Sequence, residues 1–188
     1  MQWKDRSYLK DRHAFLAPSN PSWSNYDDDK LISVYEGYLR KLKGTELHKW
    51  AEQTIRLGIT QPRAKKTLYM YVNDAIKYKM RVEQPLSYDD ELCSGTADAI
   101  AFEGNLLRIH DLKTGDTPAH MDQLVKYAAL FCLDYGYDPN SLMFELRIYQ
   151  VDQIVIYNPT SEEVMNMMDK IVHMVSILRH YQNERGDQ

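Results

Sequence analysis

Apolar residues recur along this chain with two different periods, and the change near Val82 separates a helical N-terminal portion (about 1–81) from a strand-rich remainder. From about Asp27 to Lys43, Leu31, Val34, Tyr35, Tyr38 and Leu42 follow helical spacing. Gly44-Thr45 punctuates that pattern, and a second helix is expected over TELHKWAEQTIRL, ending at Gly58. A third is expected from about Arg63 to Met80. Ahead of them, residues 17–25 (APSNPSWSN) form a Pro/Ser-rich loop.

Beyond Val82 the pattern is that of strands. VEQPLSY is short and contains a proline, which reads as an edge strand. CSGTADAIAFE and LLRIHDLK meet at Gly104-Asn105, a two-residue hairpin signal. The next helix is expected to use Thr117 as N-cap and Pro118 as its first residue, with Gly136 after its last turn. Two strands follow, roughly MFELRIYQ and QIVIYNP. The last helix starts at Thr160 with Glu163 in the capping-box position. Its apolar stripe, Val164, Met168, Ile171, Val175 and Leu178, is expected to be core. The order predicts an α/β fold with a central mixed β-sheet flanked by helices, in one domain spanning 1–188.

The hairpin carries the candidate chemistry. A two-residue turn pairs Glu103 with Leu106 and, counted back along the ladder, sets Asp98 opposite Asp111. Two carboxylates facing each other repel, and each sits in an otherwise apolar strand. Lys113 projects from the same face as Asp111 and can neutralise one of them. Two converging carboxylates are also what a hard divalent cation requires. A surface hairpin with a plain Asp111–Lys113 pair is the competing reading, and the apolar flanks weigh against it.

Bulk properties constrain this little. With 44% hydrophobic and 27% charged residues the chain is of globular type. It has no apolar run near the roughly 20 residues of a bilayer span. Its start lacks the apolar stretch of a secretory signal, so a cytoplasmic location (of the host cell, if viral) and no membrane partner are expected. Cys93 and Cys132 are too few for a structural zinc site or an iron–sulfur cluster. The net charge of −4 argues mildly against a nucleic-acid partner. Locally, though, Arg63, Lys65, Lys66, Lys77, Lys79 and Arg81 face the single acid Asp74.

Four motifs in order resemble the PD-(D/E)XK nuclease superfamily, in its RecB-like and phage exonuclease branch. GTELHKWAE is similar to that branch's Gly-Thr-x-x-His-x-x-x-Glu helix, SGTAD to its Gly-x-x-Asp strand, HDLKTG to its Asp-x-Lys-Thr strand and QLVKY to its Gln-x-x-x-Tyr helix. The branch is related to the CRISPR-adaptation nucleases, whose iron–sulfur cysteines are absent here. The resemblance implies a restriction-endonuclease-like (αβββαβ) core and a Mg²⁺- or Mn²⁺-dependent deoxyribonuclease. It implies that Asp98 and Asp111 are metal ligands, joined by the Leu112 carbonyl and by His48. Lys113 would act on the attacking water and the phosphate, and Gln123 and Tyr127 would flank the site and hold Lys113 or its strand in place. Glu83 is a weaker acidic candidate on the preceding strand.

The expected substrate is DNA, with an exonuclease of phage-type recombination, repair or processing as the leading reading. The partners expected are a homo-oligomer or a phage recombination protein. A structure-specific endonuclease shares the same centre and is the second reading. A non-catalytic nucleic-acid-binding protein on the same fold is the third. Glu52, at i, i+4 from His48, is read as supportive, and His110, on the face opposite Asp111, as structural. Trp3, Trp23 and Trp50 are read as core or loop anchors.

Overall fold

The computed structural model describes residues 4–9 and 14–186, so Trp3 lies outside the described residues. The chain comprises two compact units, Met1–Glu46 and Leu47–Gln188. In the first, short 3₁₀ turns at Ser7–Leu9 and Pro21–Asn25 precede helix α1, Asp28–Arg56, which continues into the second unit. Phe15, Tyr35 and Tyr38 form an aromatic cluster with centroids 4.8–6.1 Å apart. The Trp23 indole donates to the Ala17 carbonyl (2.9 Å), so this tryptophan is a loop anchor as expected. Gly44 does not break α1. One glycine costs a helix interior about 1 kcal/mol, which a 29-residue helix absorbs.

In the second unit α2 (Thr67–Lys77) leads into β1 (Arg81–Asp89), β2 (Cys93–Glu103) and β3 (Leu106–Leu112). Then come α3 (Asp122–Tyr135), β4 (Met143–Gln150), β5 (Gln153–Tyr157) and α4 (Ser161–Gly186). The sheet order is β1-β2-β3-β4-β5, with β3 and β4 parallel and the other pairs antiparallel. The fold is therefore α/β with a mixed sheet, and the Pro85 strand β1 is an edge. One core joins the sheet to α3 and α4 around Leu107, Ile109, Leu124 and Leu146. A second, around Ala51, Val72, Leu112 and Tyr149, joins it to α2 and the last turns of α1. Among the described residues no helix is long and apolar enough to cross a membrane.

Two helix boundaries differ from the sequence pattern, each because a distant side chain claims the backbone. Helix α2 starts at Thr67, not Arg63: Asp152 Oδ1 accepts from the Thr67 N–H (2.8 Å), and Thr67 Oγ1 accepts from the Asp152 N–H (2.6 Å). Helix α3 starts at Asp122, not Thr117. Gln150 donates to the carbonyls of Gly115 (2.6 Å) and Thr117 (2.7 Å) and accepts from the Ala119 N–H (3.1 Å), which holds this stretch as a loop. The other signals act as read. Gly136 ends α3 at φ 69°, and Thr160 and Glu163 form a reciprocal capping box at α4 (2.8 and 3.2 Å). In the α4 stripe Val164 and Val175 are buried, while Leu178 is 46% exposed.

The β4–β5 turn places Val151 (φ 48°) and Asp152 (φ 55°) in left-handed backbone. Both central residues of a type I′ hairpin need positive φ, which asparagine tolerates and a β-branched residue resists. Val151 is 61% exposed, so little packing is lost on replacing it. Val151→Asn is expected to stabilise the protein by about 1 kcal/mol, raising Tm by about 2–4 °C in a thermal melt. An unchanged or lower Tm would show that the valine side chain repays its backbone strain.

Candidate metal centre and its lysine

The hairpin geometry is the starting point. The β2–β3 ladder runs in the predicted register from Glu103↔Leu106 to Ala99↔His110. The turn has positive φ at Gly104 (63°) alone, the type II′ pattern. Asp98 and Asp111 follow the last pair, and there the ladder gives way to a side chain: the Leu112 N–H donates to Asp98 Oδ2 (2.9 Å). In an extended strand a residue's N–H and C=O turn to the same neighbour, so the Leu112 carbonyl also faces the Asp98 side. The Lys113 N–H turns the other way, to the Tyr149 carbonyl (2.9 Å).

Three elements converge on Asp98. His48, from α1, brings Nδ1 to 3.6 Å from Asp98 Oδ2. Glu83, from β1, joins them, and one donor atom from each of His48, Glu83 and Asp98 lies within 4.8 Å of the others. Glu83 has φ 52°, a conformation rare within a strand, between the pairs Val82↔Ala99 and Gln84↔Ala97. The strand beside it is fixed from α1: Glu52 holds Arg56 (2.9 Å), whose guanidinium donates to the Val82 carbonyl (3.3 Å). Glu52 thus supports the centre at one remove.

Asp111 lies outside that trio and belongs to a chain of contacts beside it. It is 4% exposed, and the Lys113 ammonium donates to its Oδ1 (3.1 Å). Oδ2, 2.9 Å from the same nitrogen but poorly aligned, has no hydrogen-bond donor. Lys113 also donates to Gln123 Oε1 (2.9 Å), so the α3 glutamine holds the lysine in place. Tyr127, one turn on, packs against Gly95, where a Cβ would stand 3.0 Å from the Tyr127 ring. Gly95→Ala is expected to displace Tyr127, costing about 1–3 kcal/mol of stability. In a Tyr127→Ala background the same substitution should cost almost nothing, and a chemical-denaturation double-mutant cycle separates the cases.

Burial chiefly, then the Asp111 charge, pushes the Asp98 carboxyl up to about 6; the Leu112 N–H and His48 act against this rise, and Glu83 adds to it. Burial likewise raises the Tyr127 phenol, with Asp98 and Asp111 adding to the effect and Gln123 and Lys113 opposing it. Tyr71, from α2, is 3% exposed and held well above the ordinary tyrosine range by burial and then by Asp98, Glu83 and Asp111. It thus stands close to the same carboxylates, and no motif in the sequence pointed to it.

His110 is buried on the opposite face of β3, as expected. Tyr149 donates to Asp74 (2.7 Å), so the His110–Tyr149 contact (3.2 Å) needs an Nδ1–H donor and leaves Nε2 bare. Burial and then the charges of Arg147 and Arg108 push the imidazole down to about 3, so it stays neutral and structural.

The residues fit a divalent cation on two counts. Asp111 Oδ2, though 2.9 Å from the Lys113 ammonium, accepts no aligned hydrogen bond, and burial together with the Asp111 charge raises the Asp98 carboxyl, a penalty that a bound cation would relieve. Carboxylates with one imidazole and a backbone carbonyl suit Mg²⁺ or Mn²⁺, the imidazole favouring Mn²⁺. No protein-family model, curated protein or solved structure matches this chain, so the reading of the centre rests on its own geometry and on the motifs that compose it.

Proposed function

We propose that this protein is a Mg²⁺- or Mn²⁺-dependent nuclease of the PD-(D/E)XK type that hydrolyses DNA phosphodiester bonds, with an exonuclease favoured over a structure-specific endonuclease. The observation that carries the proposal is the Lys113 ammonium, held by Asp111 and Gln123 beside a His48–Glu83–Asp98 cluster. His48, Glu83 and Asp98 would hold a cation, with Asp111 and the Leu112 carbonyl supplying oxygens from β3. A bound divalent ion supplies an activated water and stabilises the leaving oxygen. Lys113 offers a fixed positive charge to the phosphate as negative charge develops on it, and Asp111 and Gln123 set that charge in position before substrate arrives. Tyr127, lodged against Gly95 and one turn from Gln123 on α3, would flank the site.

The test incubates the protein with 5′- and 3′-labelled linear, nicked and closed circular DNA in Mg²⁺, Mn²⁺ or EDTA. Cleavage that needs the metal and is lost in Asp111→Ala and Lys113→Ala is expected. Mononucleotides released only from ends support the exonuclease, and cutting of closed circles the endonuclease. Cleavage persisting in EDTA or in both variants would sink the assignment.

A further inference from the structure

A groove of about 670 Å³ lies where the edge strand β1 falls short of its neighbour. The first β1–β2 pair is Arg81↔Ile100, so Ala101, Phe102 and Glu103 at the end of β2 have no partner on that side. The rim beside this open edge is basic. Lys77, Lys79 and Arg81 are exposed and line it, and Glu103 is the one acid among its lining residues. Among the described residues none of the three cations lies within ion-pair reach of a carboxylate. The opposite wall is aromatic. Phe131 and Tyr137 stack with centroids 5.5 Å apart and planes 6° off parallel, and Tyr135 lies 4.9 Å from Phe131. Tyr135 is 53% and Tyr137 37% exposed, so ring surface remains free on both.

Unpaired cations along one side and exposed rings along the other match the two parts of a single-stranded nucleic acid. The cations meet the phosphates, and the rings offer platforms to unstacked bases, whereas a duplex buries its base faces. A peptide added to the open β2 edge would use the main chain, and only an acidic one would also meet the three cations, still leaving the exposed rings without bases to stack on. The groove and the candidate centre share strand β1: Arg81 and Gln84, which line the groove, flank Glu83 in sequence.

We infer that this groove binds single-stranded nucleic acid, through Lys77, Lys79 and Arg81 on the phosphates and Tyr135 and Tyr137 on the bases, and feeds one unpaired strand along β1 to the centre. The feeding role rests on the nuclease reading; the binding does not.

Fluorescence anisotropy with labelled oligo(dT) and with a duplex of equal length, in EDTA, tests the binding apart from any cleavage. Tyr135→Ala is expected to weaken oligo(dT) binding about tenfold and to leave duplex binding unchanged. Lys77→Ala and Arg81→Ala should each lower the slope of log Kd against log salt by about one. Tyr135→Phe should bind like the parent protein. These side chains are exposed, and a thermal melt checks that each variant is folded. Oligo(dT) affinity unchanged in all three alanine variants would overturn the inference, as would equal losses for strand and duplex. So would variants that keep oligo(dT) binding but lose binding of an extended acidic peptide. If the variants weaken oligo(dT) binding but the parent protein cleaves nothing in metal, the nuclease reading fails and the groove stands. Metal-dependent cleavage with oligo(dT) binding indifferent to these residues gives the reverse.

Discussion

Asp98→Asn should abolish metal-dependent cleavage and at the same time make the metal-free protein more stable at neutral pH. The carboxyl titrates near 6 in the folded chain against 3.8 for the free group, so the folded state holds its proton over a range where the unfolded chain has released it. The stability this confers is fully present below about pH 4 and is lost as pH rises through about 6. Two units correspond to about 2–3 kcal/mol, which the parent protein lacks at pH 7 and the neutral amide regains. For a chain of this size that is a rise of roughly 5–10 °C in Tm. The asparagine carbonyl can still accept the Leu112 N–H, so the strand end is kept. Saturating Mn²⁺ should stabilise the parent protein, by about 2.7 kcal/mol at a hundred times Kd, and leave the variant's melt unmoved. Thermal melts from pH 4 to 8, with EDTA or Mn²⁺, read all of this. Equal Mn²⁺ shifts in the two proteins would remove Asp98 from the metal site. A variant no more stable than the parent at pH 7 would mean that the charged carboxylate is compensated within the chain.

Lys113→Ala carries the second large effect, on rate and stability together. It leaves Asp111, 4% exposed, with no cation against it. Breaking a buried pair costs up to about 3–5 kcal/mol; with Lys113 itself 31% exposed, about 2 kcal/mol is expected, read as a lower urea midpoint at constant m. Adding Asp111→Asn should return most of that stability, because the uncompensated charge is gone. The rate should fall by about 10²–10³, the usual effect of removing a donor aimed at developing charge, and the double variant should not recover it. A kcat within a factor of a few of the parent's would relegate Lys113 to a structural ion pair.

What was legible in the sequence was local or periodic. The register of β2 on β3 follows from a two-residue turn as far as Ala99↔His110; the next expected pair, Asp98 with Asp111, is not formed, because there the Leu112 N–H donates to the Asp98 side chain. His48, Gln123 and Tyr127 could be named because they stand at motif spacings, and the structure brings all three to the hairpin. The misread features were set by residues far away in the chain. Thr117-Pro118 is a good helix start by every local rule, yet Gln150 claims the backbone around it. The left-handed backbone of Glu83 and the approach of Tyr71 to the carboxylates arise only when β1 and α2 pack on the sheet, so neither has a pattern along the chain. The split of the acids, Asp98 toward His48 and Glu83, Asp111 toward Lys113, is likewise set by how the ladder ends.

The Gln150 amide has a further consequence for how this protein can change. It ties Gly115, Thr117 and Ala119 at three points along the segment that joins Lys113 to Gln123. Surface segments usually accept insertions, since extra residues add little closure entropy. Here the number of residues between the ties is fixed by the reach of one side chain. An added residue would break at least one tie and let the lysine and its glutamine drift apart. The length of this segment is therefore constrained more tightly than its composition, and insertion scanning across 114–120 should find its intolerant positions between 115 and 119.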